Sequence, residues 1–146
     1  AYCGWLMGLS TREAVARADK MIADVDLADK ADDRASRISG GQLRRVGLAQ
    51  VLIGQPEVLL LDEPTAGLDP AQRMRFREVL ERIPDNRVTV VSTHQVDDLT
   101  DGYDRVIVLS AGRIVFDGSP EEFLDLAPED APHRAEAAYL SLMVDE

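Results

Sequence analysis

Asp62 and Glu63 stand side by side directly after an apolar run, Val58-Leu59-Leu60-Leu61. The run predicts a strand, and the pair falls at its end. Side chains alternate along a strand, so neighbouring carboxylates there are expected to face different ways. One can then serve a metal while the other serves a water. Asp62 suits an outer-sphere ligand to Mg2+, an ion that keeps several waters and uses few protein carboxylates. Glu63 suits the group that polarises an attacking water. The plain alternative is two ordinary acids at a strand end. Their setting between four apolar residues and Pro64-Thr65-Ala66-Gly67-Leu68-Asp69 weighs against it.

Ser39-Gly40-Gly41-Gln42 suits a phosphate. Two glycines let a backbone come close to a ligand. A helix opening there offers unpaired N–H groups and about half a positive charge. Ser39 adds a hydroxyl. Taken alone, the same residues are an ordinary N-cap with flexible glycines. His94 follows Val90-Val91-Ser92-Thr93, at the end of a second expected strand. An imidazole in that place could donate to a phosphate. Asp69 has two readings that are compatible, a helix N-cap before Pro70 and a functional loop aspartate. His133 sits in a polar tail and reads as structural. Tyr2, Trp5 and Leu6 read as apolar packing rather than a base-stacking platform. One cysteine, Cys3, rules out a cysteine-based zinc cluster and an internal disulfide, and suits a reducing compartment.

The elements that must hold these groups follow from patterning. Ser10-Thr11-Arg12-Glu13 predicts a capping box, with Val15, Ala18, Ile22 and Val25 as the apolar stripe of its helix. A charged stretch from Asp29 to Arg37 leads to a second helix from about Ser39 to Ile53, ended by Gly54 and Pro56. Glu57 to Asp62 reads as a central parallel strand, buried on both faces. The helix after Pro70 carries Phe76, Val79, Leu80 and Ile83 on one side. A turn at Pro84-Asp85-Asn86 precedes a β-branched strand from Val88 to Ser92, and Val96 to Leu99 reads as a short helix. Arg105 to Leu109 and Arg113 to Phe116 predict a hairpin around Ser110-Ala111-Gly112. Ser119-Pro120-Glu121-Glu122 opens another helix, and a last one covers about Pro132 to Met143. This order is α/β.

The 146 residues are ordinary for one domain. A net charge of −11 argues against nucleic acid as a partner. No apolar run approaches the roughly 18 residues of a membrane-crossing helix. Ala1 is not a methionine and no signal-peptide pattern follows it, so the start is expected to be a cut rather than a natural terminus.

With these motifs in this order, the chain resembles the C-terminal portion of the nucleotide-binding subunit of an ABC transporter, from about Tyr2 to its end. Ser39 to Gln42 match the signature motif and Asp62 the Walker B aspartate. Glu63 matches the catalytic glutamate, Gly67-Leu68-Asp69 the D-loop and His94 the switch histidine. Gly112 to Pro120 resembles the strand pair and turn that follow. Ile38 replaces the commoner leucine.

The resemblance implies an α/β fold, the C-terminal part of an ABC-type, RecA-like P-loop NTPase domain with its helical signature subdomain. Residues 1–56 would be that subdomain, 57–127 the rest of the catalytic core and 128–146 a helical tail. ATP and Mg2+ are the implied cofactors. Glu63 and His94 would be catalytic, Asp62 would face the metal, and Ser39, Gly40, Gly41, Gln42 and Asp69 would face nucleotide. The implied partners are a second nucleotide-binding subunit, head to tail, and transmembrane permease subunits, with the protein at the cytoplasmic face of the membrane. Trp5 to Leu9 and Ala138 to Leu142 look like the multidrug or antibiotic exporter branch.

No G-x-x-x-x-G-K-S/T occurs in the 146 residues, so on this resemblance the Walker A loop, the Q-loop glutamine and the adenine-stacking aromatic would lie before Ala1. The rival reading is a non-hydrolysing regulatory module without a P-loop. A third, an ABC protein of translation or DNA repair, is disfavoured by Thr65-Ala66-Gly67 and by the acidic charge.

Most of the phosphate grip in P-loop ATPases comes from the loop that these residues do not include. The 146-residue chain by itself should bind MgATP with a Kd of about 1 mM or weaker. Calorimetry returning a micromolar Kd would contradict this.

Overall fold

The computed structural model describes residues 1–83, 87–96 and 102–143. The expected turn at Pro84-Asp85-Asn86 and most of the expected short helix at Val96 to Leu99 lie outside the described residues. The chain divides into two compact units, Ala1–Ser92 and Thr93–Glu146.

The first unit begins with two helices, α1 at Tyr2–Leu6 and α2 at Thr11–Asp24. Ser10 and Glu13 close the expected capping box on α2, each accepting from the other's backbone N–H. The buried stripe of α2 runs through Ala14 and Ala18 to Val25, while Val15, expected in the stripe, faces water. The packing expected of Tyr2, Trp5 and Leu6 is also absent from this unit. All three are more than half exposed, and the Tyr2 and Trp5 rings stack on each other at 5.9 Å. Gly4 is the α1 residue that packs inward, with Ile53, Ala14 and Leu9 where its Cβ would be.

Two 3-10 turns, Ala28–Lys30 and Ala35–Arg37, carry the chain to α3 at Gly40–Leu52. Then come β1 at Val58–Asp62, α4 at Pro70–Glu81 and β2 at Val88–Ser92. The strands pair in parallel, Val58 opposite Val88 through Asp62 opposite Ser92. A parallel pair needs a crossover connection, and α4 lies within it. Leu59 reaches the core with Val25, Leu27, Leu48, Ala49, Leu52, Phe76 and Val79.

The parallel strand was foreseeable, but burial on both faces is corrected. Leu59 is 1% exposed and its neighbour Leu60 is 72% exposed. Val58, Leu60, Val88 and Val90 share one uncovered face, because the core helices of this unit pack on the other side.

Polar contacts tie α2, α3 and α4 together. Arg45 is 5% exposed, and its guanidinium donates to the carbonyls of Val25 and Asp26 at 2.8 and 3.0 Å. Burial pulls its pKa down from the ordinary arginine value. Asp26 takes a left-handed φ of 55° just past α2, and its carboxylate grips Arg82 through two bonds of 3.0 and 2.6 Å. That grip holds the Asp26 carboxyl below its usual range.

The second unit holds an antiparallel hairpin, β3 at Val106–Ser110 and β4 at Arg113–Gly118. Ala111 and Gly112 both take positive φ, 46° and 76°, as a tight two-residue hairpin turn requires. Helices α5 at Pro120–Leu124 and α6 at Arg134–Met143 follow. Their core joins Val106 and Val108 to Phe123, Ala127, Ala135 and Ala138. The order of helices, parallel strands and hairpin makes the chain α/β, as its sequence predicts.

Because the Asp26 pKa is lowered by folding, its contribution to stability is complete above the unfolded value of about 3.9 and is lost as pH falls through the folded value. Asp26→Asn should therefore destabilise at neutral pH and lose that deficit in acid. Urea midpoints compared at several pH values check this. A deficit that does not shrink on acidification would mean that the ion pair is not its source.

Candidate functional site

β1 ends at Asp62, and the chain turns at once. Glu63 has a left-handed φ of 44°, uncommon outside glycine. Glu63 thus stands outside the pleat, so the separation of the two acids rests on this turn rather than on strand alternation. Its backbone N–H donates to the Ser92 carbonyl at 3.1 Å and to Ser92 Oγ at 3.2 Å. The Ser92 hydroxyl donates in turn to Asp62 Oδ1 at 2.5 Å. Asp62 is exposed and Glu63 is half-buried. Two turns follow, closed by Ala66 N–H on Glu63 O and Leu68 N–H on Thr65 O, with Thr65 buried and Gly67 at φ 76°. They deliver the chain to Asp69, whose Oδ1 accepts from the Gln72 N–H at 2.9 Å and so caps α4. The cap reading of Asp69 is thereby realised.

Ser39 caps α3 in the same manner. Its Oγ accepts from the Gln42 N–H at 3.2 Å, and the Gln42 amide oxygen accepts from the Ser39 N–H at 2.7 Å. The box occupies two of the donors at this helix end and leaves those of Gly40 and Gly41 outside it. The Ser39 hydroxyl proton also remains available, since its oxygen serves only as acceptor in the box.

The two glycines differ. A Cβ at Gly40 would meet nothing within 4 Å. A Cβ at Gly41 would collide with the Gln72 amide, which lies over it from the first turn of α4. The fold thus brings the Ser39–Gln42 helix end against the helix that Asp69 caps. A side chain at Gly41 would oblige the mobile end of Gln72 to move aside, whereas Gly40 faces open space.

His94 belongs to the second unit. It is exposed, in a bend where Thr93 Oγ1 accepts from the Gln95 N–H at 3.0 Å. His133 lies just before α6, and its carbonyl accepts from the Ala137 N–H.

Among the described residues, no three His, Cys, Asp or Glu side chains gather as a metal cage. Asp62 offers a single carboxylate with one oxygen engaged by Ser92, a donor set that fits Mg2+ held chiefly by its waters and by phosphate.

Sequence reasoning missed Ser92 and Gln72. Ser92 matters through its register opposite Asp62, which a parallel strand's sequence does not display. Gln72 carried one signal, its place three residues after a capping aspartate, but nothing in the sequence pointed it at Gly41.

Comparison with known proteins adds a family to this geometry. A family model described as "ABC transporter" matches residues 7–66. The chain is 44% identical over 118 residues to the energy-coupling factor transporter ATP-binding protein EcfA2 of Lacticaseibacillus paracasei, covering 79% of this chain and 41% of that protein. It is 42% identical over 124 residues to the phosphonates import ATP-binding protein PhnC of Thiobacillus denitrificans, covering 84% of this chain and 48% of the relative. It is 44% identical over 108 residues to the aliphatic sulfonates import ATP-binding protein SsuB 1 of Mesorhizobium japonicum, covering 73% and 41%. The chain therefore spans less than half the length of these relatives. The exporter expectation finds no support among them.

The two roles of Asp69 can be separated. Asp69→Ala should cost about 0.5–2 kcal/mol through the lost cap, while Asp69→Ser, itself a good cap, should cost little. Urea denaturation of both variants reads this. Equal losses would mean that the cap is not what Asp69 contributes to stability.

Proposed function

We propose, from the premise that this chain belongs to the ABC transporter family, that it is the signature-bearing and catalytic portion of a transporter's ATP-binding and ATP-hydrolysing subunit. The observation that carries the reading is the pair Asp62 and Glu63 at the carboxyl end of a parallel strand, where α/β sheets bind their ligands. Asp62 is steadied by Ser92, and Glu63 is turned out of the strand beside it.

On this reading Asp62 orients the water shell of Mg2+ on the nucleotide phosphates. Glu63 accepts a hydrogen bond from the attacking water and polarises it. The Ser39 hydroxyl and the Gly40 and Gly41 N–H groups donate to the γ-phosphate held by a second subunit, packed head to tail. Gln42 holds Ser39 in place for this through the capping box. Asp69 links the two subunits while capping α4, and His94 donates to the γ-phosphate. Bound Mg2+ supplies charge neutralisation as the phosphoryl group departs. Residues 1–56 serve as the helical signature portion, 57–127 as the rest of the catalytic core and 128–146 as a tail.

No described helix is long and apolar enough to cross a membrane, which agrees with a peripheral subunit on transmembrane permease partners at the cytoplasmic face. Two relatives are named for import, and this favours uptake over the export that residues 5–9 and 138–142 suggested. Glu63 and His94 favour a hydrolase over a regulatory module, which has no physical need of both.

The test is Glu63→Gln in the whole subunit. The amide keeps the shape and removes the charge that orients the water. ATP should still bind, and hydrolysis should fall roughly 10²–10⁴-fold, the range for loss of a general base. The nucleotide-bound dimer should accumulate. Near-normal turnover would assign the base elsewhere.

A further inference from the structure

Ser92 closes β2 opposite Asp62. Its hydroxyl oxygen lies 2.5 Å from Asp62 Oδ1 and 3.2 Å from the Glu63 backbone nitrogen. The direction of both bonds is forced. A carboxylate can only accept and an N–H can only donate, whereas a hydroxyl does each. The single proton of Ser92 therefore goes to Asp62, and a lone pair of its oxygen receives the Glu63 N–H. One side chain touches both members of the acidic pair.

The two bonds are not equally replaceable. The Glu63 N–H also reaches the Ser92 carbonyl at 3.1 Å, which any residue at position 92 would supply. Among the described residues, Ser92 Oγ is the one side-chain hydrogen-bond partner of Asp62. Asp62 is exposed, and the torsion that turns its carboxylate is soft. The Ser92 hydroxyl is the partner that fixes which oxygen faces inward, and hence which one is left for an outside ligand.

We propose that Ser92 is a positioning residue for metal binding. It occupies one oxygen of Asp62 and thereby aims the other at a water of the nucleotide-bound divalent cation. The inference rests on the reading of Asp62 as the metal-facing carboxylate. Partners behind a metal-facing group typically change metal affinity 10–100-fold when removed. Here the lower end applies, because Asp62 acts through a water.

The experiment measures Mn2+ binding in the presence of ADP by the whole subunit, read from the paramagnetic resonance of free Mn2+. No turnover is involved. Asp62→Asn should weaken Mn2+ binding. Ser92→Ala should weaken it about tenfold, and Ser92→Thr, which keeps the hydroxyl on a strand-compatible side chain, should restore it. Thermal unfolding of each variant reports whether the fold is kept. Should Ser92→Ala fail to fold, Ser92→Cys replaces it, since a thiol is a weak donor. If Asp62→Asn weakens binding and Ser92→Ala does not, the role of Ser92 is overturned and Asp62 keeps its own. A folded Ser92→Thr that stays as weak as Ser92→Ala overturns it too. If Asp62→Asn leaves Mn2+ binding unchanged, the reading of Asp62 falls and the inference with it.

Discussion

The parallel register that sets Asp62 opposite Ser92 is the constraint on which the acidic site depends. Shifting either strand by one residue would turn each side chain to the other face. Leu59 would leave the core, and Asp62 would lose its hydroxyl partner. Burial of Leu59 at 1% exposure enforces the register from one side of the sheet. Ser92 records it from the strand end, where its oxygen meets Asp62 and the Glu63 N–H. The left-handed turn at Glu63 is held over that junction, so its strain is supported by two bonds to one residue.

A second constraint acts on the helical side. Arg45 is buried in α3 and satisfies the carbonyls that α2 leaves open at Val25 and Asp26. The Asp26 carboxylate then binds Arg82 just past α4. The three helices are thus joined by one chain of polar contacts around an apolar core. Near the N-terminus of α3, about one helical turn before Arg45, the Gln72 side chain lies over Gly41. The Ser39–Gln42 helix end therefore lies beside the helix that Asp69 caps.

Much of this was legible in the chain because it is local. Capping boxes at Ser10 and Ser39, the Asp69-Pro70 helix start and the Ala111-Gly112 turn each need only a few consecutive residues. The same holds for the motifs that carry the resemblance to the ABC transporter family. Expectations that concerned surroundings fared worse. Trp5 and Leu60 are apolar enough for a core, and both are exposed. Hydrophobicity states what a side chain would gain by burial, and not whether a neighbour is present to bury it.

By itself, then, the sequence determined the α/β order of elements, the places where helices begin and the identity of the acidic pair and the glycine helix end. Backbone conformation and capping depend on neighbours one to four residues away, so they can be read along the chain. Tertiary structure alone decided that Ser92 serves Asp62, that Gln72 lies against Gly41 and that Asp26 reaches Arg82 across 56 residues. Those contacts follow from strand register and helix packing, which are set by the joint burial of residues distant in the chain and leave no periodicity in the residues they bring together.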